Sequence, residues 1–166
     1  MTPRRLILMR HAKSSWESDA PTDHDRPLNA RGRRDAPRVA ARLAELGWAP
    51  ELILSSDAQR TRETCQLLRA ALPAPEPPVE FLPTLYLGGV QELRACVREL
   101  PDRYRTTMAL GHNPGWEEAV YWLSGTHVTL KTASAALLTS SGPAWADTVA
   151  GGGHWQVEDV IHPRDI

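Results

Sequence analysis

Three short segments of the chain place cationic, imidazole or hydroxyl side chains directly after runs of apolar residues. They are Arg10-His11, Ser55-Ser56 with Arg60 one helical turn further on, and Gly111-His112-Asn113. Ligands of open α/β sheets bind in the crevice beyond the carboxyl ends of the parallel strands. If the three runs are neighbouring strands, two arginines and two histidines meet there. Each residue taken singly is better explained as structural, but together they predict an anion site that suits a phosphoryl group.

The elements that position these segments follow from the pattern of apolar residues. Short apolar runs predict strands at residues 5–9, 51–54, 79–82, 106–110, 135–139, 144–149 and 155–162. Helical periodicity predicts helices near 29–46, 56–72 and 90–100, and another that begins at Pro114. Strands that alternate with helices favour a parallel sheet. We expect an α/β fold, a three-layer sandwich whose mostly parallel central sheet carries helices on both faces.

Single residues refine the helix boundaries. Asn29 is a good N-cap for the first helix, and Gly47 is suited to end it. Pro37 predicts a kink or a later start of that helix, because proline cannot donate a backbone hydrogen bond. Ser56, followed three residues later by Gln59, predicts a capping box at the start of the second helix.

The composition argues against several classes of protein. A length of 166 residues with 42% hydrophobic residues fits one domain that spans residues 1–166. The net charge of −1 argues against binding to nucleic acid, and no apolar run approaches the ~20 residues of a membrane helix. Cys65 and Cys96 are typical of buried thiols in a reducing compartment, so we expect a cytoplasmic protein. His24 has no second His or Cys pair at zinc-site spacing, so we expect no metal.

Four segments carry motifs in a fixed order. Residues 8–16 are Leu-Met-Arg-His-Ala-Lys-Ser-Ser-Trp, 25–32 are Asp-Arg-Pro-Leu-Asn-Ala-Arg-Gly, 55–64 are Ser-Ser-Asp-Ala-Gln-Arg-Thr-Arg-Glu-Thr, and 111–115 are Gly-His-Asn-Pro-Gly. Together they resemble the histidine phosphatase superfamily, which has the phosphoglycerate-mutase-like fold and usually a glycine at the position of Ala12. The compact length and the Arg-His-Ala-Lys-Ser sequence most resemble the SixA-type protein-phosphohistidine phosphatases.

The resemblance implies a reaction and assigns residues to it. His11 would be the nucleophile and would form a phosphohistidine intermediate, which water then hydrolyses. Arg10, Arg60 and His112 would hold the non-bridging phosphate oxygens, with Ser14 as a weaker contact. We expect His11 to be neutral and His112 to be protonated, with two environments that separate their pKa values. Neither a metal nor another cofactor is implied, because the arginines supply positive charge.

One departure from the family pattern bears on the substrate. Relatives that act on phosphate monoesters usually present a glutamate that protonates the leaving alkoxide, and no carboxylate stands near the corresponding Thr84. Glu80 comes too early in the chain. An imidazole, with a reference pKa of about 6.5, accepts a proton readily near neutral pH, so the missing acid favours a P–N substrate.

The compact chain leaves few residues for the insertions that cover the site in larger relatives. An open site of that kind favours a phosphorylated protein, such as a histidine-phosphotransfer or other phosphocarrier domain that carries phosphohistidine. The alternatives are a small-molecule phosphomonoesterase acting on a phosphorylated metabolite and a non-catalytic phosphate-binding adaptor. A serine hydrolase is disfavoured, because Ser55 and Ser56 lack the Gly-x-Ser-x-Gly pattern. The glycines at 151–153 predict a turn.

Overall fold

A single six-stranded sheet forms the centre of the structure, a computed structural model that describes residues 2–166. Its strands are β1 (Arg4–Arg10), β2 (Leu52–Ser56), β3 (Val79–Leu82), β4 (Thr106–Gly111), β5 (Ala135–Ser140) and β6 (Gln156–Ile161). They lie in the order β3-β2-β4-β1-β5-β6. The pairs formed among β1 to β4 are parallel, whereas β5 is antiparallel to both of its neighbours. The prediction of a mostly parallel sheet is therefore confirmed.

Helices cover both faces of this sheet. They are α1 (Ala30–Glu45), α2 (Gln59–Ala71), α3 (Val90–Arg98), α4 (Gly115–Ser124) and α5 (Trp145–Thr148), with short 3-10 turns at Asp23–Asp25, Pro83–Leu85 and Pro163–Asp165. Leu6 and Leu8 of β1 belong to the core beneath α3, α4 and α5, whereas Ile7 and Met9 belong to the core beneath α1 and α2. Each of these buried side chains contributes roughly 1.5–3 kcal/mol of transfer free energy. The unbroken apolar run of β1 thus reflects burial on both faces, as the three-layer sandwich requires.

The boundaries of α1 agree with the sequence signals, except at Pro37. The Asn29 side chain accepts a hydrogen bond from the Gly32 amide at 2.9 Å, and Gly47 follows the helix with φ +76°. The helix nevertheless begins at Ala30 and continues through Pro37, so the expected later start is wrong. Proline removes only one backbone hydrogen bond, the one that its amide would have donated to the carbonyl of the exposed Arg33. Burial of the apolar face of α1 stabilises the rest of the helix.

Two other local predictions are wrong. Ser56 does not cap α2; it is the last residue of β2, and Ala58 occupies the N-cap position without a side-chain hydrogen bond. Residues 144–149 do not form a strand but contain the single turn of α5. Burial of Trp145, whose indole donates to the Tyr104 carbonyl at 2.8 Å, overrides the strand preference of this segment.

The strand order brings three carboxyl ends to the same edge of the sheet. β4 lies between β2 and β1, with Arg10 opposite Gly111 and Ser55 opposite Leu110. The polar segments that follow these strands must therefore lie side by side. None of the helices formed by residues 2–166 combines the length and apolar character needed to cross a membrane.

Candidate active site

The segments that follow β1, β2 and β4 enclose one polar pocket of about 350 Å³. The lining residues are Arg10, His11, Lys13, Ser14, Trp16, Asp23, Arg26, Arg60, Leu87, His112, Asn113 and Thr132. All five side chains singled out in the sequence, Arg10, His11, Ser14, Arg60 and His112, are among them. The imidazole rings of His11 and His112 lie with their centroids 5.3 Å apart. The structure therefore brings the predicted residues together.

The hydrogen bonds of His11 fix which of its ring nitrogens is free. Nδ1 lies 2.7 Å from the carbonyl oxygen of Ala12, and a carbonyl can only accept, so Nδ1 carries the proton. The neutral ring then keeps its lone pair on Nε2. The backbone is also fixed, since the His11 amide donates to the Gly111 carbonyl and the His11 carbonyl accepts from the Ala133 amide. These hydrogen bonds hold the unprotonated Nε2 of His11 in one position.

The segment after His11 is positioned by α1 and α2. A Cβ atom added at Gly32 in the first turn of α1 would lie 2.2 Å from the Lys13 carbonyl oxygen, so only glycine allows this contact. From α2, the Thr64 hydroxyl accepts from the Ala12 amide at 3.1 Å and donates to the Arg60 carbonyl at 2.7 Å. These contacts give a physical reason for the glycine and threonine of the sequence motifs.

Arg10 lies at the edge of the sheet on the face opposite to α2. It shares a hydrogen-bond acceptor with Asn113. The Leu130 carbonyl accepts from Arg10 Nη1 at 3.0 Å and from Asn113 Nδ2 at 2.8 Å, while the Leu130 amide donates to Glu117 at 2.7 Å. The segment that contains Leu130 therefore orients the guanidinium. Asn113 is predicted only as one of the polar residues that follow the strand at 106–110, and no sequence signal predicts that Asn113 and Leu130 help to orient Arg10.

The guanidinium of Arg60, which is buried, is held by the loop before α1. It donates to the Asp23 carbonyl at 2.8 Å and to the Asp23 carboxylate at 3.1 Å. The Tyr86 hydroxyl donates to the same carboxylate oxygen, and its hydrogen bond is the main reason that the pKa of Asp23 falls to about 2. Asp23 and Tyr86 were not predicted, because their loops carry no periodic pattern or motif that marks them.

His112 contacts Ser56 and Tyr86. Its Nε2 lies 2.8 Å from the Ser56 hydroxyl, and its ring meets the Tyr86 ring edge-on with centroids 5.5 Å apart. Ser56 therefore positions His112 instead of capping α2. His24 does not line the pocket; it pairs with Asp57 at 2.9 Å and meets the Tyr86 ring edge-on with centroids 4.8 Å apart.

Burial sets the charge state of both pocket histidines. The pKa of His11 falls to about 3, mainly because burial desolvates the ring, with smaller lowering contributions from His112, Arg60 and Arg10. Desolvation also lowers the pKa of His112 to about 4, with the positive charge of Arg60 as the next cause. The prediction that His112 is protonated is therefore wrong for the unliganded protein, in which both imidazole rings are neutral at pH 7. An anion in the pocket would shift both pKa values upward.

We expect this burial to make the fold sensitive to acid. The unfolded chain binds a proton on each histidine below pH ~6.5, whereas the folded chain keeps His11 and His112 neutral until the pH is much lower. This contribution of the two histidines to the free energy of unfolding is therefore fully present above pH ~6.5 and is lost as the pH falls below that value. At pH 5 each histidine accounts for a loss of about 2 kcal/mol in unfolding free energy.

Chemical denaturation between pH 7.5 and 5 measures this effect. His11→Asn should remove about 2 kcal/mol of the pH-dependent loss, whereas His127→Asn, at an exposed position, should leave the wild-type slope. Equal slopes for the wild type and His11→Asn would show that His11 is not buried in its neutral form.

The unpaired polar atoms of the pocket favour an anionic ligand. Within residues 2–166, six buried side-chain polar atoms have no hydrogen-bond partner. Four belong to the pocket: Arg10 Nε, Arg60 Nε, His112 Nδ1 and Asn113 Oδ1. The two arginine Nε atoms are donors, and so is His112 Nδ1 when it carries the ring proton. Unsatisfied buried donors are costly, and oxygen atoms of a phosphoryl group can accept from them, whereas Asn113 Oδ1 is itself an acceptor. The same described residues contain no group of three or more His, Cys, Asp or Glu side chains placed to hold a metal ion.

Comparison with known proteins agrees with this geometry. Residues 6–120 match the family model described as "Histidine phosphatase superfamily (branch 1)". A chloroplastic protein of Arabidopsis thaliana, itself uncharacterized, is 44% identical over 96% of this chain and 78% of its own. A structure from Nakamurella multipartitia, assigned as a phosphohistidine phosphatase SixA, is 30% identical, with a TM-score of 0.85 over 98% of each chain.

A further solved structure supports the fold alone. It is the protein histidine phosphatase SixA complexed with tungstate, 23% identical, with a TM-score of 0.81 over 97% of this chain and 98% of that one. The phosphoglycerate-mutase-like sandwich expected from the motifs is thus confirmed. The family match and the similarity to the 30% identical structure make the protein a phosphatase. On the strength of the family match and of the 44% identical relative, the chain belongs to the histidine phosphatase superfamily, branch 1.

Proposed function

We propose that this phosphatase hydrolyses phosphohistidine on a partner protein, with His11 as the nucleophile. The observation that carries the proposal is the combination of a neutral His11, whose Nε2 is free, with a pocket that lacks a protonated acid. Arg10, Arg60 and His112 line the same pocket and would bind the non-bridging oxygens, while the buried Ser14, also in the lining, would be a further contact.

In the first step, the lone pair of His11 Nε2 attacks phosphorus and the P–N bond of the substrate breaks. The leaving imidazole takes a proton from solvent on its other ring nitrogen, so that it departs as a neutral ring. The phosphorylated His11 keeps its Nδ1 proton, and the Ala12 carbonyl at 2.7 Å stabilises the resulting imidazolium. The arginines balance the charge on the oxygens, which is the main requirement of phosphoryl transfer.

In the second step, water attacks phosphorus of the phosphorylated His11 and orthophosphate is released. Because the phosphorylated ring already carries a proton on Nδ1, it leaves as neutral imidazole and needs no other acid. The hydrogen bond to Ala12 thus supports both halves of the reaction. This sequence restores the neutral His11 with its free Nε2.

The charge state of Asp23 supports a P–N rather than a P–O substrate. Asp23 is the one acidic residue that lines the pocket within residues 2–166. The hydrogen bond from Tyr86 and the charge of Arg60 keep its pKa at about 2, so it has no proton to give at neutral pH. Glu80 lines a different cavity. An alkoxide leaving group needs such a proton donor, whereas an imidazole takes its proton from water.

The direct test measures phosphate release from two substrates in parallel. One is a histidine-phosphotransfer domain phosphorylated on histidine, and the other is a phosphate monoester. Preferential release from the phosphohistidine protein, lost in His11→Asn, is the expected result. Faster turnover of the monoester would overturn the proposal and favour a small phosphorylated metabolite. Failure to turn over either substrate would favour the phosphate-binding adaptor.

Adding a carboxyl group should create monoesterase activity. Thr84 is exposed in the turn that precedes Tyr86, so Thr84→Glu should not disturb the core. We expect it to raise turnover of a phosphate monoester by roughly tenfold or more, because general acid catalysis contributes ~10²–10⁴-fold when well placed. The control is Thr84→Gln, which has the same length but no acidic proton. Equal rates for the two variants would count against a missing acid as the cause of P–N preference.

We also propose that the protein acts in a reducing compartment such as the cytoplasm. Cys65 and Cys96 are both free, and burial raises the pKa of Cys65 to about 11 and that of Cys96 to about 12. Thiols that stay protonated are poor nucleophiles and suit such an environment. Fractionation of cells with an antibody to the native chain tests this location.

A further inference from the structure

The most exposed large apolar side chains of the protein lie at the mouth of the pocket. Within residues 2–166, the exposed large hydrophobic residues are Trp16 (75% exposed), Leu87 (60%), Tyr121 (47%) and Ile166 (44%). Trp16 and Leu87 both line the pocket that contains His11. Single exposed apolar residues are common on a protein surface, but two at one functional opening mark a contact surface.

Trp16 is held in place although it is exposed. The Arg26 guanidinium lies over the indole, 3.5 Å from the ring centroid. Arg26 is itself fixed by hydrogen bonds from Nε to the Asp23 carboxylate at 3.0 Å and from Nη1 to the Ser15 carbonyl at 3.3 Å. One face of the indole is therefore covered by a positioned cation, and the rest is open to solvent. A rigid aromatic side chain of this kind binds a partner with little loss of conformational freedom.

Leu87 is exposed at an additional conformational cost. Its φ of +54° lies in the left-handed region, which side chains with a Cβ adopt rarely and leucine especially so. A glycine at this position would relieve the strain. Backbone strain that the surrounding structure maintains is concentrated at functional sites. A strained leucine with its side chain in water points to a partner that covers it.

The charge around these two side chains indicates what the partner carries. Lys13 and Arg26 line the same opening, next to the arginines at its base, and Asp23 is already paired with Arg60. The opening therefore attracts an anionic group, and Trp16 and Leu87 are too exposed to enclose a small molecule. A protein surface that carries the phosphoryl group would cover more of these two exposed side chains than a small molecule held in the pocket would.

We propose that Trp16 and Leu87 form a docking pair for the phosphohistidine-bearing protein and contact aliphatic side chains beside its phosphohistidine. This inference rests on the proposed function, since it names the surface that selects a protein over a small phosphoramidate. Contact with the docking pair would add binding energy without altering the reacting atoms. Substitutions in the docking pair should therefore change the preference for one substrate over the other and should leave the chemistry of His11 unchanged.

The test compares kcat/KM for a histidine-phosphotransfer domain phosphorylated on histidine with kcat/KM for phosphoramidate. The variants are Trp16→Ala and Leu87→Gly, of which the second keeps the left-handed backbone favourable and so is not expected to unfold the chain. We expect each to lower the protein-to-phosphoramidate ratio about tenfold, the effect of an interface anchor. The matched controls are Tyr121→Ala and Ile166→Ala, which should leave the ratio at the wild-type value.

The outcomes separate this inference from the proposed function. A wild-type enzyme that hydrolyses the phosphorylated domain, with an unchanged ratio in both variants, would overturn the docking pair and leave the function intact. A wild-type enzyme that does not hydrolyse the phosphorylated domain would overturn the function and the docking pair together. A ratio that falls equally in the Tyr121 and Ile166 controls would show a general effect of surface apolar residues and would also overturn the docking pair.

Discussion

Replacing His11 with asparagine should lower phosphate release by on the order of 10⁴-fold or more and should abolish the phosphorylated enzyme. Asparagine preserves a polar side chain of moderate size, yet it has no nitrogen lone pair that can attack phosphorus. The other parts of the pocket would stay in place, because the backbone of residue 11 is bonded to Gly111 and Ala133. The loss therefore reports the nucleophile and not the collapse of the site.

Rapid quenching at alkaline pH followed by mass spectrometry of the intact chain detects the phosphorylated enzyme directly. The wild type should carry one added phosphoryl group on His11 during turnover, and His11→Asn should carry none. His154→Asn is the matched control, since His154 is exposed and lines other cavities of the protein. A phosphorylated form of His11→Asn would place the nucleophile elsewhere, and residual turnover near the wild-type rate would exclude covalent catalysis by His11.

The proposed mechanism depends on the arrangement of the hydrogen bonds as well as on residue identity. Nε2 of His11 is nucleophilic because Ala12 fixes the proton on Nδ1, and burial keeps the ring neutral. Burial has the same effect on His112, so the unliganded pocket holds its positive charge on the arginines and Lys13. When the phosphoryl group arrives, its negative charge favours protonation of His112, which then becomes a further donor. The second histidine can thus gain its charge only when the substrate is present.

The sequence located the pocket because its main residues share a structural rule. Arg10 is the last residue of β1, His11 and His112 directly follow β1 and β4, and Arg60 lies in the first turn of α2, the helix that follows β2. Such residues converge in any open sheet whose strands are neighbours. The alternation of strands and helices predicted the three-layer sandwich in the same way, because it depends on a regular period and not on particular contacts.

Other features could not be predicted, because they depend on contacts between distant parts of the chain. Asp23 reaches Arg60 across 37 positions and Tyr86 across 63 positions, and neither loop has a periodic pattern. Ser56 was assigned as a helix cap because its spacing to Gln59 fits one, whereas its real partner, His112, is 56 positions away. The pKa of His112 depends on burial, which no local sequence pattern records.

Loss of the Arg60 guanidinium should reduce kcat/KM by about 10³-fold, the second largest effect among the variants considered. Arg60 is buried at the base of the pocket, and its Nε has no partner within residues 2–166. The planar guanidinium can present two donors to phosphoryl oxygens from a buried position. Arg60→Met keeps the length and the apolar part of the side chain but removes charge and donors together.

The companion variant Arg60→Lys separates charge from geometry. Lysine restores a positive charge at a single point but not the planar pair of donors, so we expect it to recover only part of the loss. Arg62→Met is the matched control on the same helix, because Arg62 is exposed and stacks on Phe81 outside the pocket. Steady-state kinetics with the phosphorylated histidine-phosphotransfer domain measures the activity of all three variants. Thermal unfolding verifies that each variant folds.

The pattern among these variants decides what Arg60 does. A large loss in Arg60→Met with partial recovery in Arg60→Lys means that the guanidinium binds the transferring phosphoryl group through both its charge and its shape. Full recovery in Arg60→Lys would mean that charge alone matters, and then the fixed orientation that Asp23 gives to Arg60 would have no catalytic purpose. Equal losses in Arg60→Met and Arg62→Met would contradict a specific role for Arg60, since Arg62 does not line the pocket that holds His11.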